Sequence, residues 1–147
     1  MSNNQWWVEP PSKRLSAWRN FRQSLDTTDI TDVCKTVMNW WENAPLLNIT
    51  IDPVDSNSWP TPWEMLHQGD FCENSLALGM AYTIYYANPN IKNELVYITD
   101  KNKSFQKLCA LIDDNYLLNY ERSMISKLTD LKEIDFSYQV NVNEIVE

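Results

Sequence analysis

Residues 70–87 read DFCENSLALGMAYTIYYA, and the fold turns on how they are parsed. Gly69-Asp70 breaks the segment before them. Asp70 followed three residues later by Glu73 matches a side-chain N-cap with its acidic partner, so a helix is expected to start at Asp70 with Cys72 in its first turn. Leu76, Gly79, Met80, Thr83, Ile84 and Ala87 then form an apolar stripe with a small residue at its centre, the pattern of a helix packed closely on a sheet. A cysteine in such a turn lies among unpaired N–H groups at the positive end of the helix, which favour thiolate over thiol.

After Asn88-Pro89-Asn90 the period changes from helical to alternating. Residues 94–99 (ELVYIT) and 106–112 (QKLCALI) are β-rich, and Asp113-Asp114-Asn115 stands just before 116–120 (YLLNY), so the last two runs are predicted to form a hairpin. Met124, Ile125, Leu128 and Leu131 predict a further helix over 121–131, and the strict alternation of 136–142 predicts a strand with one wet face.

Upstream, all seven tryptophans fall in the first 63 residues. Trp6-Trp7-Val8 before Pro10-Pro11 reads as an extended arm, residues 1–11, that either folds back on its own domain or inserts into a groove on a partner. A helix capped by Ser12 carries Leu15, Trp18 and Leu25 on one side, with Lys13, Arg14, Arg19 and Arg22 crowding the same stretch. Trp6, Trp7, Val8, Arg14, Arg19 and Arg22 are therefore the candidate partner-binding residues. A second helix over 29–43 places Cys34, Val37, Trp40 and Trp41 at core spacing. Residues 44–60 form a proline-interrupted connection with a short extended piece at 47–51, ending in Thr61-Pro62-Trp63-Glu64, a capping box with proline at the first helical position. Trp40 and Trp41 are expected to anchor the core, and Trp59 and Trp63 to pin the proline loop over it.

The 147 residues and 17.3 kDa suit one domain, over 12–147, and helices followed by an antiparallel sheet make the class α+β. A net charge of −8 and a pI near 4.6 argue against a partner made of nucleic acid, and no apolar run is long enough for a bilayer. The two glycines, Gly69 and Gly79, form no phosphate-binding loop. Three cysteines without a CxxC pair and a start without a secretory pattern read as reduced thiols in a cytosolic setting; one histidine, His67, leaves neither a metal nor a cofactor expected.

A helix-borne Cys72 followed by a β-hairpin resembles the transglutaminase-like branch of the papain-like fold. That resemblance implies a histidine on one strand and an Asp or Asn on the next. The histidine position falls near Cys109 and the carboxylate or amide position at Asn119, so the amide is compatible and the imidazole is missing. Cys72, Cys109 and Asn119 are thus candidates for a vestigial triad. Cys109 is expected close to Cys72.

Trp40-Trp41, Ala44-Pro45-Leu46, the WPTPWE run at 59–64, Phe71-Cys72 and Leu78 to Thr83 also resemble a family of small proteins encoded by tailed bacteriophages. With no positioned base, the two resemblances together imply a degenerate transglutaminase-like fold. The expected role is a non-catalytic docking protein of the phage virion, at the neck, connector or baseplate, bound to other phage structural proteins or to copies of itself in a symmetric assembly. It would then be found in the virion, and in the host cytoplasm during infection. The alternative is a cysteine-dependent amide hydrolase or acyl transferase with Cys72 as nucleophile. A further alternative is an early phage protein that inhibits a host factor.

Overall fold

The computed structural model describes residues 5–48 and 50–146. These residues form helices α1 (Pro11–Ser24), α2 (Ile30–Trp41), α3 (Pro62–Gln68) and α4 (Glu73–Ala87). Strands β1 (Asn93–Asp100), β2 (Phe105–Ile112), β3 (Tyr116–Glu121), β4 (Met124–Lys127) and β5 (Ile134–Asn141) follow. The class is α+β, as expected.

Side chains near each helix start determine where it begins. The Asp29 carboxylate accepts from the N–H groups of Thr31 and Asp32 to open α2. Thr61 and Glu64 close the reciprocal capping box at α3, with Pro62 at a position whose N–H has no helical partner to lose. At its other end α3 stops on Gly69, whose φ of 72° is left-handed. The buried Arg14 guanidinium sits there, donating to the carbonyls of Leu66 and His67 at 2.6 Å each and to that of Glu9. Arg14 therefore caps a helix C-terminus, and the expectation that it faces a partner is corrected. A Cβ on Gly69 would approach the Arg14 guanidinium carbon to 2.8 Å.

The five strands form one antiparallel sheet in the order β4-β3-β2-β1-β5. Its inner face packs on α4, which is buried on every side from Ser75 through Ile84 because α1 and α2 cover it from above. The outer face carries a second apolar cluster of Val96, Ile98, Cys109, Leu111, Leu117 and Tyr120. The alternating burial of β5 follows the predicted wet face.

The helix predicted over 121–131 is absent. Strand β4 pairs with β3 there, and a single 3-10 turn, Leu128–Asp130, follows. Ser123 adopts a φ of 64°, which ends any helix, and the Glu42 carboxylate holds that turn by accepting from the Ser123 N–H at 2.7 Å and its hydroxyl at 3.3 Å. An apolar spacing that fits a helix also fits a short edge strand, and a long-range bond decides between them.

The proline-flanked N-terminal segment folds back in its described part. Trp6–Val8 make one 3-10 turn, Trp6 is buried and stacked on Trp40 with centroids 4.2 Å apart, and its indole N–H donates to the Trp40 carbonyl at 2.9 Å. Trp6 is thus not a partner-facing group, because burying its ring against α2 removes its large apolar surface from water. Trp7 is half-buried, Val8 and Arg19 are exposed, and Arg22 lies over the Trp18 ring at 4.0 Å. Residues 1–4 of the arm lie outside the described residues.

Trp41 is fully buried, Trp40 half-buried, and Trp59 buried with its N–H on the Asp52 carbonyl at 2.6 Å. Trp63 does not anchor the core: it is 46% exposed and lies edge-on to Trp18 and Tyr86. The side-chain direction at the second position of α3 points it outward, while Pro62, Met65 and Leu66 face in.

Two tryptophans meet on one hydroxyl. Thr83 Oγ1 accepts from the indole N–H groups of Trp18 and Trp41, each at 2.9 Å, and donates to the Gly79 carbonyl at 2.6 Å. Gly79 is needed beside it, since a Cβ there would lie 2.7 Å from the Trp41 ring. Gly79→Ala is expected to cost about 1–3 kcal/mol by overpacking. Thr83→Val, which keeps the shape, should cost about 1–3 kcal/mol for each indole N–H left unpaired. Urea unfolding measures both, and a Thr83→Val midpoint equal to the parent's would show that the hydroxyl contributes nothing.

On the outer face the Tyr120 hydroxyl donates to the buried Asp100 carboxylate, which also accepts from the Lys103 N–H at 2.9 Å. The Tyr120 hydrogen bond first, then those from the backbone, hold Asp100 below the usual carboxylate range. The folded protein therefore releases this proton more readily than the unfolded chain. The resulting stability is present above the unfolded value of about 3.9 and is lost as pH falls through the folded one. Tyr120→Phe should lower the melting temperature at pH 7, with the gap to the parent narrowing below about pH 4. A gap independent of pH would rule out the linkage.

Candidate active site

Helix α4 starts two residues later than its sequence suggests. The N-cap is Cys72 itself, with a reciprocal box to Ser75: the Ser75 N–H donates to Cys72 Sγ at 3.3 Å, and the Cys72 N–H donates to Ser75 Oγ at 2.9 Å. Asp70 remains exposed outside the helix. The connection after α2 is fastened here by a parallel bridge between Leu46 and Phe71, with the Leu47 N–H on the Phe71 carbonyl at 2.8 Å. It brings the Thr50 hydroxyl and the Ile51 N–H to the sulfur as further donors.

Five influences act on this thiol. Burial pushes it up, but the hydrogen bonds from Ile51, Thr50 and the Ser75 N–H and side chain together outweigh burial, so Cys72 lies below the ordinary thiol value. The residue is 6% exposed and lines a cavity of about 140 Å³ together with Met65, Gln68, Asp70 and Phe71. A donor-held sulfur with a cavity beside it can add to an electrophilic carbon placed there.

Asn74 fastens Thr50 to the sheet. Its Oδ1 accepts from the Leu108 N–H at 3.0 Å, which leaves its Nδ2 to donate to Thr50 Oγ1 at 3.3 Å. The Thr50 hydroxyl, close enough to the sulfur to act on it, donates to the Ile51 carbonyl at 3.2 Å. Hydrogen bonds thus link the backbone of β2 through Asn74 to Thr50, beside Cys72, starting from the strand on which the transglutaminase-like resemblance places its histidine.

The other sequence candidates are placed differently. Cys109 is buried on the outer face of the sheet, away from Cys72, because side chains alternate along β2. Leu108, Ala110 and Ile112 join the α4 cluster, whereas Cys109 and Leu111 join the opposite one. The expected proximity of the two sulfurs is therefore corrected. Burial pushes both Cys109 and the α2 residue Cys34 up to about 12. Asn119 does reach the first turn of α4, but its amide donates to the carbonyls of Glu73 at 2.9 Å and Leu108 at 3.0 Å, which ties β3 to the helix instead of serving the sulfur. His67 is exposed at the end of α3 and lines no wall of the Cys72 cavity.

Sequence reasoning missed Thr50, Ile51, Asn74 and Ser75. A serine three residues after a possible N-cap was a legible signal for Ser75; Thr50 and Asn74 carry none, since they meet only in space. Among the described residues no group of three His, Cys, Asp or Glu side chains converges as a metal ion requires, and no helix is long and apolar enough to cross a membrane.

No protein-family model matches the sequence, and no curated protein does. Solved structures do. Over 91% of its length the chain is similar to LapG of Legionella pneumophila in its calcium-bound form, with a TM-score of 0.72, 15% identity and 77% of that chain covered. LapG of the same organism also matches at TM-score 0.70 and 16% identity, over 90% of this chain and 76% of that one. Its EGTA-treated form matches at 0.70 and 16%, over 89% and 74%. LapG is a cysteine protease of the transglutaminase-like/papain-like fold, so the expected fold is correct. The expectation of a non-catalytic virion docking protein, and of no enzyme, is overturned by the same matches, which fit the cysteine-hydrolase alternative better.

Proposed function

We propose that the protein is a cysteine-dependent hydrolase or acyl transferase with Cys72 as its nucleophile. The observation that carries this reading is the sulfur at the start of α4, held by Thr50, Ile51 and Ser75 and open to a cavity. Its likeness in fold to a cysteine protease supports it. In the family pattern an imidazole generates the thiolate; here three hydrogen-bond donors and the positive end of α4 lower its energy instead. The tailed-phage resemblance rests on the sequence motifs alone and would place the enzyme in the host cytoplasm during infection.

The donors make the reading testable without a known substrate. Iodoacetamide should label Cys72 selectively in the native protein, with a rate that rises through a midpoint below the ordinary thiol value of about 8.5, while Cys34 and Cys109 stay unlabelled until the protein unfolds. Thr50→Val should move that midpoint upward and Thr50→Ser should restore it, read by peptide mass mapping across pH. Labelling of Cys72 at the midpoint of a free thiol would remove the basis for nucleophilic catalysis.

A further inference from the structure

Acyl transfer at a cysteine makes two demands on its surroundings: the sulfur must carry a negative charge to attack, and the departing group must be able to leave. The Cys72 site meets the first through the Ser75 N–H, which donates to the sulfur at 3.3 Å at the start of α4, with the Ile51 N–H and the Thr50 hydroxyl beside it. For the second it has little to offer. Backbone amides and aliphatic hydroxyls do not give up protons near neutral pH. Asp70, the one carboxyl that the described residues place on the cavity wall, is exposed and takes no part in the hydrogen bonds that hold the sulfur. The sole imidazole of the chain, His67, is outside the cavity. An amine cannot depart from a tetrahedral intermediate without receiving a proton, which is the task of the imidazolium in cysteine proteases. A thiolate needs none, because its conjugate acid has a pKa of only about 8.5.

Resting on the nucleophile reading above, we propose that this site acts on acyl thioesters rather than on amides. The Cys72 thiolate adds to the thioester carbonyl carbon, forming a new C–S bond as the π pair moves onto oxygen. That pair then returns, the original C–S bond breaks, and the leaving thiol departs as thiolate with its electrons. No proton is transferred in either direction. The acyl group leaves Cys72 by the same step run towards an acceptor thiolate, or by addition of water whose proton passes to the solvent. The apolar wall of Met65 and Phe71 beside the sulfur suits the acyl portion.

The discriminating measurement is the dependence of rate on the leaving group. The full-length protein is given S-phenyl thioacetate and a series of ring-substituted phenyl acetates, all sharing one acyl group, and acetylation is followed by intact mass and peptide mapping. The expected result is Cys72-specific acetylation with a rate that falls at least 10-fold for each two-unit rise in leaving-group pKa. It should also show one ascending pH limb and no descending limb. A flat series, or a bell-shaped pH profile with Cys72 dependence retained, reveals a proton donor and overturns the thioester assignment alone. Equal release of phenol or thiophenol by a folded Cys72→Ala protein, checked by circular dichroism, overturns the nucleophile itself. Cys72-dependent cleavage of an unactivated peptide amide would also overturn the thioester preference while leaving the nucleophile intact.

Discussion

The Thr83 hydroxyl is the junction on which the helical layer depends. Two indole N–H groups from different helices share its oxygen, and its own proton goes to the carbonyl one turn back in α4. A buried indole N–H without an acceptor is costly, so α1 and α2 can settle only where Trp18 and Trp41 both reach that one atom. Gly79 supplies the room for the Trp41 ring to come within contact of the α4 backbone. Helix α4 is in this way clamped from above by tryptophans and from below by β1, β2 and β3. Its N-terminus is held between a rigid sheet and a rigid helical layer.

That packing places hydrogen-bond donors around a solvent-poor cysteine. Burial alone drives a thiol upward, as Cys34 and Cys109 show within the same chain. Cys72 is nearly as enclosed, yet its pKa goes the other way, because fixed donors point at the sulfur and pay no reorganisation cost when the charge appears. Three thiols in one molecule thus separate into two that burial pushes up and one that hydrogen bonding holds below the ordinary thiol value. The fold is shared with LapG, and the chain has no histidine after His67, where the transglutaminase-like resemblance implies one on a strand.

Where sequence reading and structure part, the reason in each case is a bond between distant positions. Arg14 was expected to face a partner, but it is turned inward by carbonyls more than fifty residues away. Met124 to Lys127 carry an apolar spacing compatible with a helix, and Glu42 holds the turn that makes them a strand. Asp70 has the better intrinsic N-cap side chain, but Phe71 is tied to Leu46 by a parallel bridge, and the helix begins on Cys72 instead.

Residue order alone determined what is local: the capping box at Thr61, the central helix with its cysteine, the hairpin of β2 and β3, the alternating last strand and the α+β class all follow from neighbours within a few positions, where backbone geometry limits the choices. It also determined that only one histidine exists to serve any site. The tertiary structure alone decided which sulfur is held by hydrogen-bond donors, that Cys109 faces away, and that Asn74 joins β2 to Thr50. Those outcomes depend on which side of a strand faces the helix and on how a long connection crosses it. Hydrogen bonds between residues 24 or more apart leave no periodic trace in the chain that makes them.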